Sequence, residues 1–293
     1  MADTHLESFI EKELSKVRGV YYPVKAGFLR RLLTTKAPLS KLHPNPNDEF
    51  CSPKVGPNNA VFSEYVSAYG NYGGGASVSS LPGSLGSPIL VEKTNPDGYM
   101  ILNGHHRWAA ASAVGLKKLP IQIVNLTQKK DVQRMLERTN SDRRVTLDLD
   151  ETVFRTGADP CIEKPLPFPF GKIYKERLRR GIPALFHFLK EQGYDIWVYT
   201  AKYYSLEYVR AYFRYYRIPV TGIVTGAARK ASHGDAKAQF ETMLAPKYAC
   251  TLHIDNDSVL KTRKGSKEYE VCTIRDPGAG WTAGIMDIVG GGR

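Results

Sequence analysis

Apolar residues recur at helical spacing near the start of the chain, where Leu6, Ile10 and Leu14 alternate with charged positions. Thr4 and Glu7, three residues apart, have the pattern of a capping box. We therefore predict that an amphipathic helix opens an N-terminal helical segment, residues 1–35.

Residues 36–126 combine β-prone runs with helical patterns, which is typical of a small α+β domain. The clearest element is a hairpin, in which two β-prone runs flank the turn sequence Asn95-Pro96-Asp97-Gly98. A glycine- and serine-rich stretch, residues 71–87, is expected to be a mobile loop. The other predicted elements are strands at 38–42 and 119–124 and helices at 58–69 and 105–114, the second closed by Gly115.

A charged helical connector, residues 127–143, leads into a region where strand and helix patterns alternate. Such alternation predicts a Rossmann-like, mostly parallel sheet with helices on both faces over residues 144–293. The expected fold class is therefore α/β, in two domains. The predicted strands are 145–149, 196–199, 222–224, 250–254 and 270–274, and the predicted helices are 183–191, 206–216 and 235–244.

Composition narrows the functional classes. The chain has 293 residues, of which 42% are hydrophobic and 24% charged, as in soluble globular proteins. No apolar run approaches the length of a membrane span, and the polar start is not a secretion signal. Four scattered cysteines without a C-x-x-C pair are typical of a reducing cytoplasm, where we expect the protein.

The net charge of +12 favours anionic partners such as phosphorylated metabolites, nucleotides or nucleic acid. The basic residues occur in both halves of the chain, with clusters at 175–180 and 261–264. Solvated basic faces explain such clusters as well as an anionic partner does. The sequence does not indicate the oligomeric state.

The strongest chemical pattern is the sequence Leu147-Asp148-Leu149-Asp150-Glu151-Thr152, in which a β-prone run ends in two carboxylates. Strands of an open α/β sheet present ligand sites at their carboxyl ends. Two later strands also end in polar residues, Thr200 and Asp255. A hydroxyl there can bind a phosphate oxygen, and a carboxylate can hold Mg²⁺. Lys230 and Lys237 are both candidates to offset phosphate charge, and the sequence does not choose between them.

This order of motifs resembles the haloacid dehalogenase superfamily over roughly residues 144–290, most closely its small, capless phosphatases. The resemblance implies that Asp148 is a nucleophile that forms an aspartyl-phosphate and that Asp150 is the general acid and base. It also implies that Thr200 and a lysine bind the phosphoryl group. Asp148, Asp150 and Asp255 form the implied Mg²⁺ site.

The lengths of the chain segments between these motifs determine whether a cap domain could cover the substrate. Neither the interval between Asp150 and Thr200 nor that between Thr200 and Lys230 has room for a full cap domain. The proline- and phenylalanine-rich residues 159–170 form either a flap over the site or a rigid surface loop. The first domain could also act as a lid.

A second motif, Asn103-Gly104-His105-His106-Arg107, joins a predicted strand to a helix. Gly104 permits close backbone approach, the helix start attracts anions, and Arg107 offers a fork of donors to phosphate. The two histidines have two other interpretations, a metal pair or purely structural residues. Adjacent residues on a helix diverge, which disfavours shared ligation.

Residues 36–126 resemble the ParB/sulfiredoxin fold, because Gly104-His105-His106-Arg107-Trp108-Ala109-Ala110 matches the nucleotide-binding pattern of ParB-type domains. The motif is also similar to that of free-serine kinases on this fold, although Asn103 replaces their aspartate. The resemblance implies that Gly104, His105, His106 and Arg107 bind ATP or another nucleoside triphosphate. A kinase would also need a carboxylate base to take a proton from the substrate hydroxyl. Glu49 or Asp48 is suitably placed for this role in the sequence, and Cys51 lies beside them.

The sequence thus predicts a Mg²⁺-dependent phosphohydrolase or phosphotransferase fused to a nucleotide-binding domain with possible kinase activity. Its substrate would be a phosphorylated small molecule or a nucleic-acid end. One alternative is a nucleic-acid end-processing phosphatase and kinase. The other is a nucleotide-gated, partition-like DNA-binding factor with a degenerate phosphatase domain.

Overall fold

The structure is a computed structural model that describes residues 2–17, 21–71, 85–155, 159–228, 230–231, 234–266, 268–276 and 278–291; the side chains of 2–4, 230–231 and 234–235 are outside this description. The chain divides into two compact units. Unit 1 comprises Met1–Asn125 with Lys230–Ser232, and unit 2 comprises Leu126–Arg229 with His233–Arg293. The connector at 127–143, which the sequence analysis places between domains, therefore belongs to unit 2.

Unit 1 is built on a mixed sheet. Its helices are α1 (Ala2–Val17), α2 (Phe28–Leu32), α3 (Asn59–Gly70) and α4 (His105–Ala113). Its strands are β1 (Tyr22–Pro23), β2 (Thr35–Pro38), β3 (Leu42–His43), β4 (Ile89–Asn95), β5 (Tyr99–Asn103) and β6 (Lys118–Ile123). The strand order is β2-β6-β4-β5-β3, with β1 paired to β4. The β4–β6 and β3–β5 pairs are parallel and the others antiparallel.

Most predicted elements of this unit are confirmed. In α1, Leu6, Ile10 and Leu14 are buried on one face, as their spacing predicts. The hairpin is β4 and β5, where Gly98 has φ +78° and an added Cβ would lie 2.5 Å from the Lys41 carbonyl oxygen. The predicted strand at 38–42 is wrong, because a 3₁₀ turn, Leu39–Lys41, separates β2 from β3. Most of the predicted mobile loop at 71–87 lies outside the described residues.

The rest of the chain alternates helices and strands. The helices are α5 (Lys129–Leu136), α6 (Phe170–Ile173), α7 (Ile182–Glu191), α8 (Leu206–Tyr215), α9 (Ala236–Leu244) and α10 (Trp281–Gly290). The longer strands are β7 (Arg143–Asp148), β10 (Asp195–Thr200), β11 (Gly222–Thr225), β14 (Cys250–Ile254), β15 (Ser258–Arg263) and β16 (Tyr269–Thr273). Short strands are β8 (Phe154–Arg155), β9 (Arg177–Leu178), β12 (Lys230–Ala231) and β13 (Gly234–Asp235).

The main sheet of unit 2 has the order β11-β10-β7-β14-β15-β16. Its first four strands are parallel, and β15 and β16 are added antiparallel. The right-handed rule for crossovers between parallel strands predicts α7 and α8 on one face of the sheet and α9 on the other, because the chain passes back over β10 and β7 between β11 and β14. The α/β class with parallel and antiparallel pairing is therefore confirmed. β15 and α10 were not predicted.

The sheet register sets the position of the polar strand ends. Tyr199 pairs with Asp148, and Ile254 pairs with Leu147. The next residues, Thr200 on β10 and Asp255 after β14, therefore lie at the same edge as Asp148. Within the described residues, no helix is both long and apolar enough to cross a membrane.

Candidate functional site

The carboxyl ends of β7, β10 and β14 form a polar site in unit 2. The buried strand residues Val145 and Leu147 hold β7 in the core, and the chain leaves the sheet at Asp148, which reaches solvent at the cavity while neighbouring groups partly enclose its carboxyl. Asp148 Oδ1 accepts a hydrogen bond of 3.0 Å from the Asp150 backbone N–H. Its other oxygen has no hydrogen-bond partner among the described residues, so it is available to a ligand.

The Asp150 carboxylate is held by the end of β10. Its Oδ2 accepts hydrogen bonds from the Thr200 hydroxyl at 2.7 Å and from the Ala201 backbone N–H at 3.1 Å. Its Oδ1 lies 3.1 Å from the ammonium nitrogen of Lys202. Thr200 is fully buried. In this arrangement Thr200 therefore orients Asp150, and Lys202, which the sequence analysis did not assign, neutralises it.

Negative charge accumulates around Asp148. Burial raises the pKa of its carboxyl, and the charges of Asp150 and Asp255 raise it further; the Asp150 N–H and the charge of Lys237 oppose this rise. A carboxylate whose neighbours repel its charge stores unfavourable electrostatic energy that a bound cation would relieve. The strand end is therefore a place where positive charge is favoured.

A cavity of about 490 Å³ opens over this strand end. Asp148, Asp150, Asp255 and Lys237 all line it. Lys237 lies on the first turn of α9, with its ammonium nitrogen 5.6 Å from the Tyr199 ring centroid. Of the two candidate lysines, Lys237 therefore faces the carboxylates, whereas Lys230 lies in β12 with its side chain outside the description.

Two further polar residues of the cavity were missed by the sequence analysis. Glu241 accepts hydrogen bonds from Arg144 Nη2 at 2.6 Å and from the Tyr199 hydroxyl at 2.5 Å. His253 Nδ1 lies 2.8 Å from the Thr146 hydroxyl. Glu241 is four residues after Lys237, and this spacing on one helix face could have identified it. No comparable pattern marks His253.

The predicted metal ligands do not converge as one group. Among the described residues, no three His, Cys, Asp or Glu side chains are arranged to hold a metal ion. The Asp150 Oδ2 atom is bonded to Thr200 and Ala201, and its Oδ1 atom faces the Lys202 ammonium, so the expected role of Asp150 as a third ligand stays a prediction. Asp148 and Asp255 line the same cavity as Asn256, whose Oδ1 is buried without a hydrogen bond. Two carboxylates and an unpaired amide oxygen suit a hard cation such as Mg²⁺.

The proline-rich segment at 159–170 is anchored rather than poised over the cavity. Asp159 pairs with Arg155 at 2.6 Å, and Glu163 Oε1 accepts a hydrogen bond of 2.7 Å from the Gly181 N–H. The Tyr216 hydroxyl donates to the Lys164 carbonyl. No residue of 159–170 lines the cavity. Of the two interpretations, the fixed surface loop describes this segment.

The second motif lies at the junction of β5 and α4 in unit 1. Gly104 has φ +105°, a conformation that favours glycine. A Cβ there would lie 2.9 Å from Arg107 Nη2 and 3.1 Å from Ile89 Cγ1. The glycine therefore lets the guanidinium fold back against the turn, where Arg107 is buried and donates to the Ser87 carbonyl.

The histidines of this motif are bound within unit 1. His105 is 4% exposed; its Nε2 accepts from the Asn45 N–H, and its Nδ1 lies 3.5 Å from Asp48 Oδ1. Burial lowers its pKa to about 4, so it is neutral at physiological pH. His106 Nε2 accepts a 2.8 Å hydrogen bond from the Asn58 N–H. These contacts favour the structural interpretation of His105, and its expected contact with a nucleotide stays a prediction.

A cavity of about 270 Å³ lies beside this turn and is lined by Gly104, His106 and Arg107 but not by His105. Of the two loop acids, Asp48 approaches the motif, whereas Glu49 is exposed and does not line the cavity. Burial raises the pKa of the Cys51 thiol to about 12. The thiol is therefore protonated and unreactive.

Comparison with known proteins identifies part of the chain. Residues 79–139 match the family model of the ParB N-terminal domain. This match includes the Gly104–Arg107 motif and supports the ParB part of the resemblance. No curated protein sequence matches the chain.

Proposed function

We propose that the protein is a phosphohydrolase of the haloacid dehalogenase type whose chain also carries a ParB-like, nucleotide-related domain. The observation that carries this proposal is the juxtaposition of Asp148, Asp150, Lys237 and Asp255 around one cavity at the carboxyl edge of a parallel sheet. A purely structural role for three carboxylates at one strand end is disfavoured, because like charges raise one another's electrostatic energy and Lys237 offsets this only in part.

Each residue has a role in this proposal. The unpaired oxygen of Asp148 attacks phosphorus and forms an aspartyl-phosphate, which splits a difficult displacement into two easier steps. Asp150, fixed by Thr200, transfers a proton to the leaving oxygen and later takes one from water. Lys237 balances charge on the phosphoryl oxygens.

Asp148, Asp255 and Asn256 would hold a Mg²⁺ ion. When bound, such an ion neutralises charge that would otherwise repel the attacking carboxylate. The fit rests on the hard oxygen donors of the two carboxylates and on the buried Asn256 Oδ1, which has no hydrogen bond among the described residues.

The ParB match favours a role for unit 1 in binding nucleotide. It also favours the partition-like alternative, in which the chain would be a DNA-binding factor rather than an enzyme. Arg107 is the residue of this unit best suited to a phosphate, because it combines a guanidinium fork with a place on the wall of a cavity. Neither Glu49 nor Asp48 lines that cavity, although Asp48 contacts His105, so the proposal assigns no kinase base.

Phosphate release from an aryl phosphate, with and without Mg²⁺, tests the phosphohydrolase. We expect Asp148→Asn to lower the Mg²⁺-dependent rate by on the order of 10⁶-fold, as for other nucleophiles that act within a catalytic unit. Asp159→Asn, which removes an acid of the surface loop, is the matched control and should leave the rate unchanged. Equal rates in wild type and Asp148→Asn would exclude the aspartyl-phosphate route, and a wild type without any Mg²⁺-dependent rate would leave the partition-like alternative.

A further inference from the structure

A continuous series of aromatic rings runs across unit 2 from the neighbourhood of Asp150. Tyr204 and Tyr208 are stacked, with interplanar angle 6° and centroids 5.9 Å apart. Tyr208 contacts Tyr174 at 4.8 Å, Tyr174 contacts Tyr215 at 5.5 Å, and Tyr215 contacts Phe170 at 4.2 Å. We use the name aromatic track for these five rings and for the exposed ring of Phe168, which precedes Phe170 by two residues in the sequence.

One end of the aromatic track adjoins the proposed catalytic loop. Tyr204 packs edge-on against Phe154 at 6.3 Å, and Phe154 forms a β-bridge with Asp150. Tyr204 also lies close enough to Asp150 for the charge of that carboxylate to contribute to raising the pKa of the phenol. The track therefore begins beside the residue that would protonate a leaving group.

The other end of the track is open to solvent. Phe168 is 79% exposed and Tyr215 is 43% exposed. The Lys172 ammonium lies 5.4 Å from the Phe168 ring centroid, and Lys175 is exposed close by in the sequence. Exposure of aromatic rings to water is unfavourable when nothing binds them. Beside lysines, such rings suit a ligand with flat bases and a charged backbone.

Hydrogen bonds hold the track in one arrangement. The Tyr208 hydroxyl donates to the Glu176 carboxylate, and the Tyr212 hydroxyl donates to the Glu176 carbonyl at 3.1 Å. The segment around α6 is thereby fixed on α8. Rings that are fixed before binding lose little entropy when a ligand stacks on them.

We infer that the substrate of the proposed phosphohydrolase is the phosphorylated end of a single-stranded nucleic acid, whose bases stack on Phe168 and Tyr215, the exposed rings of the aromatic track. This inference rests on the proposed function. The terminal phosphoryl group moves from its ester oxygen to the Asp148 carboxylate, and the ester oxygen takes a proton from Asp150. Water then cleaves the aspartyl-phosphate, which leaves inorganic phosphate, a hydroxyl end and the regenerated carboxylate.

The test compares two substrates of one enzyme, an aryl phosphate and single-stranded oligonucleotides with a terminal phosphate. The oligonucleotides are DNA and RNA of about 4 to 16 nucleotides, the range of known stacking platforms. We expect Phe168→Ala and Tyr215→Ala each to raise KM for oligonucleotides by roughly 5- to 150-fold, the usual worth of one stacked base. The rate on aryl phosphate should not change, and Phe168→Trp should restore the oligonucleotide KM.

Tyr269→Ala is the matched control, because Tyr269 is 69% exposed on the edge strand β16 and lies outside the track. It should change neither substrate's kinetics. Binding of labelled oligonucleotide to Asp148→Asn, followed by anisotropy, separates recognition from chemistry. Binding that depends on Phe168, without any hydrolysis by wild type, would exclude the proposed function but support the track.

Three results would overturn the inference while the phosphohydrolase proposal stands. They are an unchanged oligonucleotide KM in the Phe168→Ala and Tyr215→Ala variants, equal kcat/KM for a mononucleotide and an oligonucleotide, and equal competition by a phosphopeptide. A preference for DNA alone or for RNA alone would support the inference and identify the type of nucleic acid.

Discussion

The two phosphate motifs of this chain differ in how far the surrounding protein already satisfies their polar atoms. At the end of β7, Asp148 keeps an oxygen that has no hydrogen-bond partner in the described part of the chain, and burial together with two nearby carboxylates raises its pKa. At the start of α4, the ring nitrogens of His105 and the Nε2 of His106 are engaged by the protein itself. The first motif is left electrostatically unsatisfied, and the second is largely satisfied.

This difference indicates how each motif should be interpreted. A site that stores unfavourable charge has a free energy to gain from a ligand, so its residues are candidates for chemistry. A site whose polar atoms are already bonded gains less and stabilises the fold instead. On this basis, enzymatic activity is expected in unit 2, and ligand binding in unit 1 depends mainly on Arg107.

After the loss expected for Asp148→Asn, the largest effect concerns the lysine that faces the Asp148 site. Lys237→Met should lower kcat/KM on aryl phosphate by about 10²- to 10³-fold, since one preorganised charge facing the transition state is lost. Steady-state kinetics with saturating Mg²⁺ measure it.

Lys230→Met is the matched control for that experiment, because the sequence offers both lysines as candidates. It should leave kcat/KM at the wild-type value. The reverse result, in which Lys230→Met is the damaging change, would show that the phosphate is bound from β12 rather than from α9.

The sequence predicts the strand-end cluster because parallel strands place their carboxyl ends at one edge. Asp148, Thr200 and Asp255 follow from that rule alone. It does not predict that Asp150 turns toward Ala201 and Lys202, because this orientation depends on the local path of the chain after β10.

The sequence likewise does not decide between the structural and the nucleotide-binding interpretation of His105. Its partners, Asn45 and Asp48, are separated from it by the whole of α3, β4 and β5, and only tertiary packing brings them together. The same motif in an exposed turn would leave both histidines free for phosphate. Local pattern therefore identifies the motif, whereas long-range packing decides which of its residues can act.

The burial of His105 predicts a pH-dependent stability of unit 1. Its pKa is about 4 in the folded protein and about 6.5 when unfolded, so only the unfolded chain binds a proton between these values. The stabilisation is complete above about pH 6.5 and is lost as the pH falls toward 4, by about 3 kcal/mol. Hydrogen exchange in β4 and β5, corrected for intrinsic rates, measures it.

His105→Gln should flatten this dependence, because glutamine does not titrate. The matched control is His187→Gln, on the exposed face of α7 in unit 2, which should leave the pH profile of β4 and β5 as in wild type. A profile in His105→Gln as steep as that of wild type would mean that other groups, such as His43 or His106, cause the loss.

The smallest expected effect tests which of the two motifs Arg107 resembles. Its guanidinium either serves the fold, as the bonded nitrogens of His105 do, or binds a ligand, as proposed for the Asp148 carboxylate. Arg107→Ala leaves the Ser87 carbonyl without this donor, so the free energy of unfolding of unit 1 should fall by about 1–3 kcal/mol. Binding of fluorescent ATP or CTP, measured on the folded fraction, should weaken as well. Arg30→Ala, at an exposed arginine of the same unit, should change neither. A loss of stability with unchanged nucleotide affinity would make Arg107 purely structural, and the contrast between the two motifs would then be complete.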